Sequence, residues 1–257
     1  MSSSNYEYYG LMATYWDLLR GDTSDWPDRF MWLDVIKKYG QPVLDVGCAS
    51  GRLTLDYLEQ GIDIDGVDIS TEMIELCKAN AKNKRLIPAL YNQSMTELKL
   101  PRKYKTILVP SSSLQLLLKT GQPLQAMQHF YDHLESGGVL AAPFMVLWQE
   151  GDPLESGFSR EVARPEDGAT IRRTSWSHYN PETKMEGTRD TWEIIKDGVM
   201  IESEVHEQIP ATLSYTQSEA IALFEEAGFA NVQAFSEFTF DPAKPEDTLF
   251  TIIGTKP

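Results

Sequence analysis

Cysteine is scarce in this chain, and long apolar segments are missing. The two cysteines, Cys48 and Cys77, have a spacing that suits neither a zinc site nor a disulfide framework, so we expect two reduced, buried thiols and no bound metal. No run approaches the roughly 20 apolar residues that span a bilayer. The N-terminal segment MSSSNYEYYG has no basic region followed by an apolar core, and we therefore expect a cytoplasmic protein.

Basic residues are also few relative to acidic ones. The 257 residues include 23 Lys and Arg against 38 Asp and Glu, a formal net charge of -15. Such a charge repels phosphate backbones and anionic lipid surfaces, so nucleic acid and membrane are not expected partners. The hydrophobic content of 42% allows one sizeable core at this length.

Helical and strand patterns alternate through the first half of the chain. Helical spacing predicts two leading helices, at 6–19 and 28–39, with Ser24 and Asp25 as start signals for the second. The alternation that follows predicts a doubly wound, mostly parallel sheet of an α/β protein. Its predicted strands are 43–47, 62–68, 85–90, 106–110 and 138–144, and its predicted helices are 52–60, 70–82 and 123–135.

A different pattern occupies 148–210. Apolar residues alternate with period two, and an Asp197-Gly198 turn separates two alternating segments, which predicts an antiparallel β insertion after the fifth strand. A helix at 217–227 and strands at 232–238 and 248–254 then complete the sheet. We predict a first part at 1–147 that contains the N-terminal helices, the insertion at 148–210, and a C-terminal part at 211–257.

The segment Val43-Leu44-Asp45-Val46-Gly47-Cys48-Ala49-Ser50-Gly51 runs from a strand into a glycine-bearing turn before a helix. Such a turn lets a ligand approach the backbone closely. The spacing matches neither the dinucleotide fingerprint nor a phosphate loop. At the end of the next strand, Asp68 is placed to accept hydrogen bonds from both ribose hydroxyls of a nucleoside.

Four segments together resemble the class I S-adenosylmethionine-dependent methyltransferases that act on small molecules. They are LDVGCASG, GVDIS followed by Glu72-Met73-Ile74, the Ser94-Met95 pair, and Leu134 to Leu140. The resemblance implies a seven-stranded Rossmann-like sheet, S-adenosyl-L-methionine as cofactor with S-adenosyl-L-homocysteine as product, and a small-molecule acceptor. It also implies the cofactor-binding residues Asp45, Gly47, Cys48, Ala49, Gly51, Asp68, Ile69, Met73, Ser94, Met95 and Pro110.

The resemblance divides these residues among the parts of the cofactor. Asp45 would bind the methionine amino group, and Asp68 would bind the ribose. Ile69 and Met73 would flank the adenine, with Ser94 and Met95 at its edge. Ala49 stands where the family usually has a glycine, and its methyl group is accommodated if its φ angle is not positive.

Methyl transfer needs alignment and desolvation, and only sometimes a proton acceptor. Tyr15, Gln115 and His178 are the residues we select as catalytic candidates. Other polar or aromatic residues in the same three regions are Tyr9, Trp16, Trp148, Trp176, Trp192 and His206.

The acceptor itself is not specified by the sequence. The acidic composition and the aromatic insertion favour a partly apolar or cationic small molecule. Three alternatives stay open: a different reaction at the sulfonium, a non-catalytic protein that binds the cofactor or its product, and, more distantly, a nicotinamide-dependent oxidoreductase. A homodimer is also left open.

Overall fold

The computed structural model describes residues 8–257 of the chain. Its α-helices are α1 (Gly10–Arg20), α2 (Pro27–Tyr39), α3 (Arg52–Glu59), α4 (Thr71–Lys84), α5 (Gln122–His133) and α6 (Gln217–Glu226). Its strands are β1 (Val43–Val46), β2 (Ile64–Asp68), β3 (Ala89–Asn92), β4 (Tyr104–Leu108), β5 (Leu134–Met145), β6 (Glu155–Ala163), β7 (Thr170–Asn180), β8 (Met185–Lys196), β9 (Val199–Leu213), β10 (Ala230–Ser236) and β11 (Leu249–Thr255). A short 3-10 turn covers Ser113–Leu116.

Seven strands form the main sheet in the order β10-β11-β5-β4-β1-β2-β3. The strands from β3 to β5 pair in parallel, whereas β11 pairs antiparallel with both β5 and β10. The predicted α/β fold with a doubly wound, mostly parallel seven-stranded sheet is therefore confirmed. In such a sheet, the carboxyl ends of the parallel strands meet at one edge, where ligands bind.

Apolar side chains are buried on both faces of this sheet. On one face Phe130, Phe144 and Phe224 belong to a cluster that joins α5 and α6 to the strands. On the other face Trp32 and Tyr57, both fully buried, pack α2 and α3 against β1 and β2. Because both faces are covered, β1 is apolar except for Asp45, and a polar residue inside it needs a specific partner.

The insertion forms a second, antiparallel sheet in the order β6-β7-β8-β9. Its inner face packs against α1 through Ile171, Trp192 and Ile194, which contact Leu11 and Leu19. The carboxylates of Glu204 on β9 and Glu72 on α4 accept hydrogen bonds from the first N–H groups of α1, at Leu11 and Gly10. Helix α1 is thus held between the two sheets, and negative charge at its N-terminus is favourable.

Some predicted boundaries differ from the structure. The predicted strand 85–90 is wrong in position, because α4 continues to Lys84 and ends on Arg85 in the left-handed conformation, so the strand begins at Ala89. Ser24 and Asp25 do not cap α2, whose N-cap is Trp26. The predicted start of the first helix at Tyr6 lies outside the described residues, and the described helix begins at Gly10. Within residues 8–257, no helix combines the length and hydropathy that a membrane span requires.

Gln115 connects the two sheets. Its side-chain amide donates to the carbonyl groups of Met145 and Leu213, at 3.0 and 2.6 Å, and its oxygen accepts from the Met145 N–H at 2.7 Å. The residue is fully buried. Because these backbone groups are at the ends of β5 and β9, Gln115 fixes the point where the insertion joins the main sheet.

We expect Gln115→Leu to destabilise the protein by about 3 kcal/mol, because it leaves buried backbone groups unpaired while keeping the side-chain volume similar. Urea unfolding followed by tryptophan fluorescence measures the change. Gln233→Leu, at an exposed position of β10, is the matched control, and we expect it to change stability little. Equal urea midpoints for Gln115→Leu and the wild type would show that the hydrogen bonds of Gln115 do not contribute to stability.

Candidate active site

A cavity of about 350 Å³ opens at the carboxyl edge of the main sheet, between that edge, α1 and the second sheet. Its walls include the ends of β1 and β2, the loops after β3 and β4, and side chains of α1, β6, β7 and β8. Nine of the predicted cofactor residues line it: Asp45, Gly47, Cys48, Ala49, Asp68, Ile69, Ser94, Met95 and Pro110.

Asp68 organises the turn that borders this cavity. Its carboxylate accepts hydrogen bonds from the backbone N–H groups of Ala49, at 2.9 Å, and Ser70, at 2.8 Å. The turn after β1 is also tied to β2 by the Gly47 and Cys48 N–H groups, which donate to the Val67 carbonyl. The side chain is 8% exposed and lines the cavity. Asp68 is therefore a fixed acceptor at the strand end where the sequence predicts ribose binding.

Asp45 is buried inside the apolar strand β1. One carboxylate oxygen accepts a hydrogen bond from the Thr54 hydroxyl at 2.7 Å. The other oxygen, Oδ1, has no partner among the described residues. Burial raises the pKa of Asp45 to about 6, because the charged form loses its hydration. The cavity wall thus contains an unsatisfied acceptor that a cationic group would complete.

The methyl group of Ala49 would be accommodated without strain only at a φ angle that is not positive, and the structure does not meet this condition. Its φ angle is +47°, in the left-handed region that favours glycine. Gly47 precedes it at φ +76°, and a Cβ at Gly47 would lie 3.0 Å from the Ser113 hydroxyl. The glycine turn therefore retains its close backbone approach, with local strain at Ala49.

Two predicted cofactor residues do not line the cavity. Gly51 faces the interior: a Cβ there would lie 2.6 Å from the Cys77 sulfur and 2.7 Å from Leu55, so this glycine allows α3 to pack against α4. Met73 is fully buried in α4. Their spacing along the motif resembles that of contact residues, but both are buried and neither lines the cavity.

The three catalytic candidates also lie outside the cavity lining. The Tyr15 hydroxyl accepts a hydrogen bond from Arg164 at 2.9 Å, and Gln115 forms the hydrogen bonds to the ends of β5 and β9 described above. His178 is about half exposed and stacks beside Trp176 on the second sheet. Of the wider set, Trp16 and Trp192 line the cavity, whereas Tyr9, Trp148, Trp176 and His206 do not.

Four arginines in the cavity wall were not predicted: Arg20, Arg52, Arg160 and Arg173. Arg20 bonds to Asp17 and to the Ser50 hydroxyl of the glycine turn, while its buried Nε has no partner among the described residues. Burial lowers the pKa of Arg20. Arg52 is paired with Asp28. No sequence spacing identifies these residues, because they come from elements far apart in the chain.

Arg173 is held in an aromatic setting. It forms two hydrogen bonds of 2.9 Å with Asp190, and its guanidinium lies over the rings of Trp16, Phe158 and Trp192 at 5.3 to 5.6 Å. These rings form an apolar wall opposite the sheet edge, in which Trp192 is fully buried and Phe158 is 54% exposed.

Part of the chain is similar in sequence to known proteins. Residues 43–138 match the family model described as a methyltransferase domain. The chain is 29% identical over 109 residues to a protein of Geobacillus sp. (strain WCH70) named as a methyltransferase, which covers 41% of this chain and 44% of that protein. It is 28% identical over 136 residues to dTDP-3-amino-3,4,6-trideoxy-alpha-D-glucopyranose N,N-dimethyltransferase of Streptomyces venezuelae, 52% of this chain and 54% of the relative. The chain spans about half the length of the curated relatives it matches.

A solved structure extends the likeness to nearly the whole chain. The S-adenosylmethionine-dependent methyltransferase from Clostridium acetobutylicum ATCC 824 has a TM-score of 0.74, with 94% of this chain and 96% of that chain covered at 16% identity. At this identity the likeness shows the fold. Residues 43–138 thus match a methyltransferase domain within a Rossmann-like fold, and the resemblance to S-adenosylmethionine-dependent methyltransferases is confirmed.

We expect Asp45→Asn to stabilise the protein without ligand at neutral pH. The folded pKa of about 6 exceeds the ordinary 3.8, so the stability contribution of Asp45 is fully present below pH 3.8 and is lost as the pH rises through 6. The loss amounts to up to about 3 kcal/mol. Urea unfolding at several pH values should show the variant gaining on the wild type between pH 4 and 6. Asp34→Asn, at an exposed site, is the control; a pH-independent difference for Asp45→Asn would contradict the assignment.

Ala49→Gly should stabilise the protein by about 0.5–1 kcal/mol, because relief of the left-handed strain exceeds the added flexibility of the unfolded chain. Thermal or urea unfolding measures this. Ala79→Gly, at an exposed position within α4, should have the opposite sign, since glycine weakens a helix. Destabilisation by both substitutions would refute strain at Ala49.

Proposed function

We propose that the protein transfers the methyl group of S-adenosylmethionine to a small-molecule acceptor, and that the methylated atom is an amine nitrogen. The observation that carries this proposal is the placement of two buried carboxylates, Asp45 and Asp68, at the ends of adjacent parallel strands around one glycine turn. The matched methyltransferase domain, residues 43–138, contains both.

The unsatisfied groups in the cavity wall fit the amino acid part of the cofactor. Asp45 Oδ1 is a buried acceptor without a partner among the described residues, and Arg20 Nε is a buried donor without one. An α-ammonium group would satisfy the first and an α-carboxylate the second, so the pair matches a zwitterion. Asp68 would hold the ribose hydroxyls, and Ile69, Ser94 and Met95 border the remaining space for the adenine.

When bound, S-adenosylmethionine supplies an activated methyl group on a sulfonium. The residues of this chain then have to hold the acceptor in line and exclude water. Trp16, Phe158 and Trp192 provide the apolar wall on the side of the second sheet. The protein's own contribution is thus orientation and desolvation.

The scarcity of proton acceptors supports an amine as the acceptor group. Among the described lining residues there is no histidine, lysine or glutamate, and the carboxylates are Asp45 and Asp68, both assigned to the cofactor; Tyr8 contributes a phenol hydroxyl. Burial keeps the Cys48 thiol protonated by raising its pKa. A neutral amine carries its own lone pair, and its proton can leave to water after transfer. The named activity of the Streptomyces venezuelae relative, an amino-sugar N,N-dimethyltransferase, agrees with this choice.

Calorimetric titration with S-adenosylmethionine and S-adenosylhomocysteine tests the cofactor site. We expect micromolar binding, of order -8 kcal/mol, and a loss of at least 100-fold in Asp68→Ala, whose ribose acceptor is removed. Asp34→Ala at an exposed position of α2 should bind as the wild type does. Absence of binding of both ligands to the wild type would refute the proposal.

Affinity for the cofactor should fall by about tenfold per pH unit below pH 6, because protonation of Asp45 competes with binding of the ammonium group. The same titrations between pH 5 and 8 measure this slope, and Asp45→Asn should bind weakly with that slope removed. A slope retained in Asp45→Asn would assign the titration to another group.

Turnover separates the alternatives. Incubation of saturated protein with mixed small amines and methyl-labelled S-adenosylmethionine should give labelled acceptor and S-adenosylhomocysteine in equal amounts. Cofactor consumption without methyl transfer would indicate a different reaction at the sulfonium. Tight binding without any product would indicate a non-catalytic binding protein.

A further inference from the structure

One row of side chains crosses the second sheet on the face toward α1. Arg160 on β6 lies directly opposite Arg173 on β7, which lies opposite Trp192 on β8. Directly opposed residues of antiparallel strands project from the same face. All three line the cavity. The row therefore places two guanidinium groups side by side on the wall of the acceptor end.

The two arginines differ in their counter-ions. Asp190 neutralises Arg173 through two hydrogen bonds. Arg160 forms no ion pair or hydrogen bond among the described residues, and its side chain extends to the end of α1, where a Cβ at Gly21 would lie 3.9 Å from its Nη2. Like charges directly opposite each other on a sheet are unfavourable without a compensating anion. The row thus has one positive charge in excess.

The positive excess is confined to the side of the cavity that the second sheet forms. Arg20 and Arg52 are paired with Asp17 and Asp28, which are outside the lining, and each pair is neutral. Asp45 and Asp68 are the lining carboxylates of the main-sheet side and face the proposed cofactor groups. Among the described residues, Arg160 is the unpaired lining cation on the second-sheet side. The positive charge is therefore local, in a cavity wall that is not cationic overall and a chain with a net charge of -15.

We propose that the acceptor carries an anionic group, a carboxylate or a phosphate, that pairs with Arg160 while its apolar or planar part lies against Phe158 and Trp16. This inference rests on the proposed function and specifies its substrate class. The acidic composition favours a cationic acceptor, but the charge nearest the acceptor decides recognition. Arg160 is exposed, and a charge in contact acts across a few ångströms, whereas charges elsewhere on the surface are screened beyond about 8 Å at physiological ionic strength. A planar fork also matches either oxyanion with two hydrogen bonds.

Matched probes test this in the protein saturated with S-adenosylhomocysteine. We compare 4-aminobenzoate with 4-aminobenzamide, and 4-aminophenyl phosphate with 4-aminophenol, by calorimetry at constant ionic strength. We expect the anionic member of at least one pair to bind at least tenfold more tightly. The pair with the larger ratio distinguishes a carboxylate from a phosphate acceptor.

Arg160→Gln should abolish that preference, and Arg160→Lys should keep part of it, since the charge remains without the planar fork. The control is Arg189→Gln, which removes an exposed arginine from the opposite face of the same sheet, directly opposite Trp176. It should keep the preference. Each variant must first show wild-type affinity for S-adenosylhomocysteine.

The inference would be overturned if no anionic member bound more tightly than its neutral partner, or if the preference survived Arg160→Gln. A loss of affinity for S-adenosylhomocysteine in Arg160→Gln would also overturn it, because it would assign the arginine to the cofactor. Failure of the wild type to bind S-adenosylhomocysteine is a different outcome. It refutes the proposed function, and this inference with it.

Discussion

The carboxylate of Asp68 is the interaction on which the site depends. By accepting the N–H groups of Ala49 and Ser70, it ties the turn after β1 to the start of α4 and fixes the cavity wall between two parallel strands. A buried carboxylate with two such donors has a defined direction. The left-handed conformation of Ala49 is accommodated within this arrangement, because its N–H group is one of those donors. The rest of the cavity wall adjoins this contact between the turn and the start of α4.

Asp45 is a buried carboxylate that destabilises the protein when no ligand is bound. The residue lies in a strand that is otherwise apolar and buried on both sides, and one of its oxygens has no partner among the described residues. Desolvation therefore raises its pKa toward neutrality. Arg20 is the corresponding buried cation near the glycine turn, and its Nε has no partner within residues 8–257. Binding sites often keep groups that disfavour the empty fold, because a ligand supplies the missing partners.

The second sheet forms the opposite wall of the cavity. It covers the cavity with aromatic rings and contributes Arg160 and Arg173, while Gln115 fixes its junction to β5 and β9. Helix α1 links the two sheets through its N-terminal hydrogen bonds to Glu72 and Glu204. The proposed cofactor recognition is therefore located on the parallel sheet, and the proposed acceptor recognition on the appended antiparallel one.

The sequence by itself determined the alternation of helices and strands, the glycine turn and the position of Asp68, because hydrophobic periodicity and strand-end motifs are local properties. Nine of the predicted cofactor residues line the cavity for this reason. Only the tertiary structure decided that Gly51 and Met73 face the interior, that Tyr15, Gln115 and His178 lie outside the cavity, and that four arginines line it. Side-chain direction and contacts between distant elements depend on how the sheets and α1 pack, and no local spacing encodes that packing.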